Sequence, residues 1–402
     1  MPCQNPGVQS PDVVIVGAGL AGCSTAWHLA GERSVLLLEQ GDQAGAEASS
    51  QNAGMVRRLG EDPHERVLAV RTHRWLQAPG EDWADLQPSR RTGAVLALVE
   101  EPHDLHDAAS HLQAQGVVVQ ACDRPAQIAP ALAGARVAFC WHLPDERVAD
   151  AHSLIAGFLR GARRRGAELR CGLRVTGLRR QGDRVVGVDT DAGPIDAGAV
   201  VLAAGAWTSD LARGVGLHRP LVPLRRSLLQ TDTHPLSAPD HPWTWIDDAG
   251  LYVRPEAGGF LVSPCDEAVD PPSPGPGSRG SVTPWARALA EHKLRSLLPA
   301  LADATPRGGW TGLRTFAPDR RPILGPDPDA PGLHWAAGLG GFGVTCSYAV
   351  GEAVAGWLRG EPVPWLDRDA VSPGRAWMQR WLMRADGDRN TPRMLSTPPP
   401  PR

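Results

Sequence analysis

Val13-Val14-Ile15-Val16 runs directly into Gly17-Ala18-Gly19-Leu20-Ala21-Gly22, and this junction constrains the fold more than any other stretch of the chain. Four apolar, mostly β-branched residues in a row suit a strand buried on both faces. An amphipathic stretch follows to about Ala30, then a second buried run, Val35–Leu38, ending at Glu39. Strand, glycine turn, helix and strand within about thirty residues predict a βαβ unit that binds a dinucleotide. Gly17 makes the tight turn, Gly19 lets backbone approach a pyrophosphate, and Gly22 lets helix and strand pack closely. Leu20 and Ala21 open the helix, whose free N–H groups and dipole favour an anion. Glu39, followed by Gln40, is placed to accept hydrogen bonds from a ribose, and an acid there disfavours a 2′-phosphate, hence NADP.

The remaining chain narrows the class. Its 402 residues suffice for two or three domains by the usual size of about 150 residues each. With 42% apolar and 21% charged residues, wholesale disorder is excluded. The net charge of −3 offers no global field for nucleic acid. Lys293 is the sole lysine among 41 basic residues, so arginine runs such as Arg163–Arg165 read as the solvated end of a helix. The cysteines lack any C-x-x-C spacing, which argues against a disulfide framework or zinc site and fits a reducing compartment. No metal site is expected. Nothing resembles a signal peptide or a membrane span, so a cytoplasmic location is expected. The oligomeric state is left open.

Residues 60–80 and 103–115 read as helices, with Ala94–Val99 a strand between them. A helix starts near Asp150 with Leu154, Ile155, Phe158, Leu159 and Ala162 on one face and Gly166 as its stop. Leu173–Arg180 and Arg184–Thr190 form a hairpin pair, and Ala199–Leu202 is another buried strand. Residues 220–265 read as extended segments of a mixed sheet, Asp270–Ser278 as a flexible proline-glycine loop, and 284–298 as a helix. Gly338–Thr345 is a glycine-dense turn into a helix from about Thr345 to Leu358. His64, His73, His142 and His218 read as ordinary surface or capping residues.

Five segments in order carry a resemblance: the glycine turn; Glu47-Ala48-Ser49-Ser50-Gln51-Asn52-Ala53-Gly54-Met55-Val56-Arg57; Val200–Trp207; Gly309–Asp319; and Gly338–Thr345. Together they resemble the FAD-dependent D-amino-acid oxidase family, in particular its glycine oxidase, sarcosine oxidase and dye-linked dehydrogenase branches, over roughly residues 11–360. The resemblance implies that Ser49, Ser50, Asn52, Ala53, Gly54 and Met55 contact FAD. It implies that the Val175 backbone meets the adenine and that Ala204, Gly205 and Trp207 lie under the adenosine. Gly338, Gly340, Gly341, Phe342, Gly343, Val344 and Thr345 would aim the last helix's N-terminus at the flavin, whose reduced form is anionic. Gly312 stands where some relatives tether the flavin through a cysteine, so FAD is expected to be non-covalent.

Arg314 matches the family arginine that clamps the amino-acid carboxylate, a task suited to a guanidinium fork. Tyr252 matches a tyrosine that reaches the same group, and Arg57 a carboxylate-binding position of sarcosine oxidases. Two arginines imply either a dicarboxylate substrate or one arginine serving structure. The expected fold is α/β: a discontinuous Rossmann-like FAD domain (1–85, 146–210, 308–375), a substrate domain with a mixed antiparallel sheet (86–145, 211–307), and a tail (376–402). The expected activity is oxidation of a C–N bond of a small amino or N-alkyl amino acid by hydride transfer to the flavin. The acceptor is oxygen or, in a dye-linked dehydrogenase, a quinone or partner subunit. Alternatives of another class are an NAD(P)H-dependent FAD monooxygenase and a flavin-holding subunit without activity.

Overall fold

The computed structural model describes residues 10–100, 104–277 and 280–375. The expected tail, 376–402, lies outside the described residues. Val13–Val16 pairs in parallel with Val35–Leu38 on one side and Ala199–Leu202 on the other. Glu168–Arg170 and Leu333–Ala337 continue the sheet in parallel, and Ile323–Pro326 closes one edge antiparallel, giving six strands. Side chains alternate across the sheet. Ile15 and Leu37 pack under the helices Leu20–Leu29, Ala151–Arg164 and Ser347–Arg359. Val14, Val16 and Leu36 pack on the other face against Val185 and Val188. These last two belong to a three-stranded antiparallel layer, Val175–Gln181, Arg184–Thr190 and Gly193–Asp196. Both sheet faces are thus covered, as its continuous apolar strands require.

The larger sheet has nine strands and is mixed. Val222–Thr231 pairs with Pro306–Phe316 along one edge and with Gly259–Ser263 and Ala268–Val269 along the other. Leu251–Glu256, Trp243–Ile246, Ala94–Leu98, Phe139–Leu143 and Gln120–Ala121 extend it, Trp243–Ile246 running parallel to Ala94–Leu98. The helix Pro284–Leu297 lays Ala290 and Leu294 on Val253, Phe260 and Val262 of this sheet. Pro306–Phe316 links the two sheets: it is paired within the larger one, yet Phe316 bridges to Leu339 and the Thr315 carbonyl accepts from the Gly340 N–H at 2.9 Å.

Several element ends move from their sequence positions for local reasons. The helix expected over 60–80 is Pro63–Leu76, because the Asp62 carboxylate caps it and proline takes its first position. The helix expected from about Thr345 begins at Ser347, and the Thr345 hydroxyl instead donates to the Met55 carbonyl. His73 is buried, not a surface residue, and its Nε2 lies 2.8 Å from the Asp145 carbonyl. Among the described residues no helix is long and apolar enough to cross a membrane, and no cluster of acidic, histidine or cysteine side chains could hold a metal.

Candidate active site

A cavity of about 600 Å3 runs between the two sheets. Its lining includes Glu39, Gln40 and Val175, the turn residues Gly17, Gly19, Leu20 and Ala21 with Ser49, and Tyr252, Arg57 and Arg314. Gly17 holds φ +101°, and a Cβ there would stand 2.5 Å from the Ala203 carbonyl oxygen, so only glycine fits the turn. Among the described residues, no group accepts a hydrogen bond from the N–H of Gly19 or Ala21. The N–H of Leu20 is taken by the Ser49 hydroxyl at 3.0 Å, a cap supplied from another loop because Gly19 has no side chain. Glu39 is 7% exposed. Its two oxygens accept from the Ala18 N–H at 3.0 Å and the Gly41 N–H at 2.9 Å. Burial nevertheless holds its carboxyl above the usual range.

The cavity wall has a second cluster of free donors. The turn 338–345 lines the cavity, and among the described residues the N–H groups of Gly343, Val344 and Thr345 find no acceptor. They precede the helix Ser347–Arg359, so its positive end and three amides face the cavity. A cavity lined by a buried acid, by orphan amides at a glycine turn and by a second amide nest fits a dinucleotide with a flat ring system. In contrast, a cavity for a small ligand alone would need neither the buried acid nor the orphan amides of the glycine turn.

Most of the residues singled out by sequence line this cavity: Ser49, Asn52, Ala53, Gly54, Met55, Ala204, Gly205, Trp207 and Gly312 join those above. Two do not. Gly22 lies beneath the turn, where a Cβ would meet the Gly17 carbonyl oxygen at 1.9 Å, so its role is packing. Ser50 is exposed and its hydroxyl turns back to the Ala46 and Glu47 carbonyls. The described part of the loop read as flexible is hydrogen-bonded to other segments: Trp207 Nε1 donates to the Ser273 carbonyl at 2.9 Å, the Gly277 N–H to Glu47 at 2.7 Å, and Pro272, Pro274 and Gly275 line the cavity wall.

The three proposed substrate residues differ in their surroundings. Arg314 projects from Pro306–Phe316 into the cavity, and no carboxylate among the described residues pairs with it. Burial, then the neighbouring Arg226, pushes its pKa down to about 10. Gly341 makes room for it: a Cβ there would stand 1.7 Å from Arg314 Nη2. Tyr252 is buried beside Trp245, ring centroids 5.1 Å apart, and burial raises its phenol pKa. Arg57, however, already has a counter-ion, Asp247 Oδ1 at 3.3 Å. Its guanidinium also lies 4.3 Å from the Trp245 ring and 4.9 Å from that of Phe342. Sequence reasoning did not find Arg226, Leu228 or Trp245 in the wall. Nor did it single out Glu65, whose carboxyl is pushed up to about 8 by burial and by Asp62.

Comparison with known proteins agrees with this geometry. The family described as FAD dependent oxidoreductase matches residues 12–357. Glycine oxidase of Pseudomonas aeruginosa is 31% identical over 82% of this chain and 91% of that protein. A D-amino acid dehydrogenase of Methylobacterium nodulans is 27% identical over 90% of this chain and 98% of its own length. The crystal structure of glycine oxidase from Geobacillus kaustophilus superposes with a TM-score of 0.77 at 25% identity, covering 91% of this chain and 98% of that one.

Proposed function

Since this chain belongs to the family of FAD-dependent oxidoreductases, we propose that it oxidises the C–N bond of a small amino acid or N-alkyl amino acid. One observation carries the reading. A half-buried guanidinium, Arg314, faces the cavity from the larger sheet, and among the described residues no carboxylate pairs with it. A buried charge left uncompensated is costly, and a substrate carboxylate is the natural partner for its fork. Glycine oxidase and D-amino acid dehydrogenase as full-length relatives support the same choice.

FAD, when bound, supplies the hydride acceptor. Gly17, Gly19 and Ala21 would hold its pyrophosphate, Glu39 its ribose, and the amides of Gly343, Val344 and Thr345 would offset negative charge on its ring. We read binding as non-covalent, because Gly312 carries no side chain, and Cys346, in the neighbouring turn, is buried with its thiol donated to the Phe342 carbonyl. Arg314 would fix the substrate by its carboxylate, Tyr252 would bound the pocket, and the walls would exclude water while the C–N bond is oxidised to an imine. Hydrolysis then releases a 2-oxo acid or aldehyde. The six-stranded unit would carry the cofactor and the larger sheet the substrate. We take oxygen as the acceptor; the near-complete coverage of a D-amino acid dehydrogenase supports an alternative quinone or protein acceptor.

The test is anaerobic. The visible spectrum of the holoprotein is followed while D-, L- and N-methyl amino acids are added, and bleaching by one group is the expected result. Bleaching by NADPH and by no amino acid would overturn the proposal. Readmitting air separates oxidase from dehydrogenase.

A further inference from the structure

Arg226 sits on Val222–Thr231 in the cavity wall and is 7% exposed. In the register of that strand with Pro306–Phe316 it stands opposite Gly312, while Arg314 stands opposite Leu224. Residues 224 and 226 share a face, as do 312 and 314. The two arginines are therefore diagonal neighbours on one side of the sheet, within reach of each other for long side chains. Arg226 Nη2 donates to Glu267 Oε1 at 2.8 Å, but its Nε and Nη1 are buried without a partner among the described residues.

Glu267 cannot neutralise Arg226 alone. Arg320 also grips it, with Nη1 at 3.2 Å from Oε1 and Nη2 at 2.6 Å from Oε2. The nearby Asp266 does not face the cavity either. Both its oxygens accept from Ser227, the N–H at 2.8 Å and the hydroxyl at 2.7 Å, and Ser227 points to the opposite face from Arg226. Across the cavity Arg57 is matched by Asp247. Glu267 is thus shared between Arg226 and the bidentate Arg320, and Arg57 is matched by Asp247, so among the described residues the two positive charges of Arg226 and Arg314 face one cavity with only that shared carboxylate between them. Like charges side by side in a site of low polarity need anions between or beside them.

We propose that the substrate is an amino or imino dicarboxylate, with one carboxylate on Arg314 and the second on the free Nε and Nη1 of Arg226. This rests on the amine-oxidation reading above and specifies its substrate class. It also assigns the second arginine of the site to Arg226 rather than Arg57.

The experiment uses non-reacting ligands on the oxidised holoprotein, with perturbation of the flavin absorption as the readout. Succinate and glutarate are compared with propionate and butyrate. The expected result is that the dicarboxylates bind about tenfold to a hundredfold tighter, the worth of one added charge-assisted contact. In Arg226→Gln that ratio collapses toward one, and Arg226→Lys restores part of it. Equal affinity of both ligand classes for the unmutated protein overturns the inference while leaving amine oxidation standing, and this arm depends on no variant folding. A failure of all carboxylates to bind, with no amino acid bleaching the flavin, brings down both readings.

Discussion

Replacing Arg314 by methionine should make the protein more stable and nearly inactive at once. Burial and Arg226 lower the guanidinium pKa from the ordinary arginine value to about 10. At about 1.4 kcal/mol per pKa unit, that corresponds to roughly 3 kcal/mol spent on keeping the charge. The sign follows from linkage: with the folded pKa depressed, the penalty is present at every pH below about 10 and so in full at neutrality. Part of the side chain meets the open cavity, and screening there cuts the penalty to about 1–2 kcal/mol. Against it stands the contact of the guanidinium with the Phe316 ring, 5.2 Å away, a cation–π pair of about 0.5–1 kcal/mol. The net expectation for Arg314→Met is a gain of about 1 kcal/mol, an upward Tm shift on the order of 1–2 °C in a chain of this size. Loss of a bidentate carboxylate contact should lower kcat/KM for the amino-acid substrate by about 10²–10³. Calorimetry of the apoprotein and steady-state kinetics of the holoprotein give the two numbers. A fall in Tm of several degrees, or activity within tenfold of the original, refutes the reasoning that this is an uncompensated substrate-binding charge.

Three further outcomes follow from particular contacts. Gly341→Ala places a Cβ against Arg314, so KM should rise by about tenfold or more while Tm changes little; an unchanged KM would mean the guanidinium has room to shift. Glu65 has its pKa raised to about 8, so folding takes up a proton and stability falls as pH rises from about 4.5 to about 8; Glu65→Gln should flatten that slope in thermal melts, and an identical slope would show the carboxyl to be solvated. Glu39→Gln sets an amide N–H2 against one of the two backbone N–H groups that the carboxylate accepts from, and the Kd for FAD, read by flavin fluorescence, should weaken about tenfold to a hundredfold; an equal Kd would remove Glu39 from the cofactor site.

The βαβ unit was legible because its signals are local. Apolar runs of strand length, a glycine turn and an acid at the second strand end specify one another within about thirty residues. The same holds for Ala151–Arg164, whose cap Asp150 and apolar spacing are adjacent in the chain. The cavity-lining segments were legible as motifs and Gly22 packs as its place in the turn requires, whereas Ser50, read as a cofactor contact, is exposed with its hydroxyl turned back to the Ala46 and Glu47 carbonyls. What sequence could not reach depends on strand register and on pairs far apart in the chain. In Val222–Thr231, Arg225 and Arg226 are adjacent arginines, and only pairing with Pro306–Phe316 decides that Arg226 faces the cavity. A shift by one residue would exchange their faces. Arg57 reads from sequence as either a carboxylate-binding or a structural arginine, and only the fold shows its ion pair with Asp247, 190 positions away. The proline-glycine loop reads as slack until Trp207 and Glu47 anchor it. The chain alone determined the nucleotide-binding frame, because short-range periodicity and backbone sterics dictate it. The tertiary structure decided which arginines at the cavity are matched by an acid and which are not, because that depends on where every acid within reach has been placed.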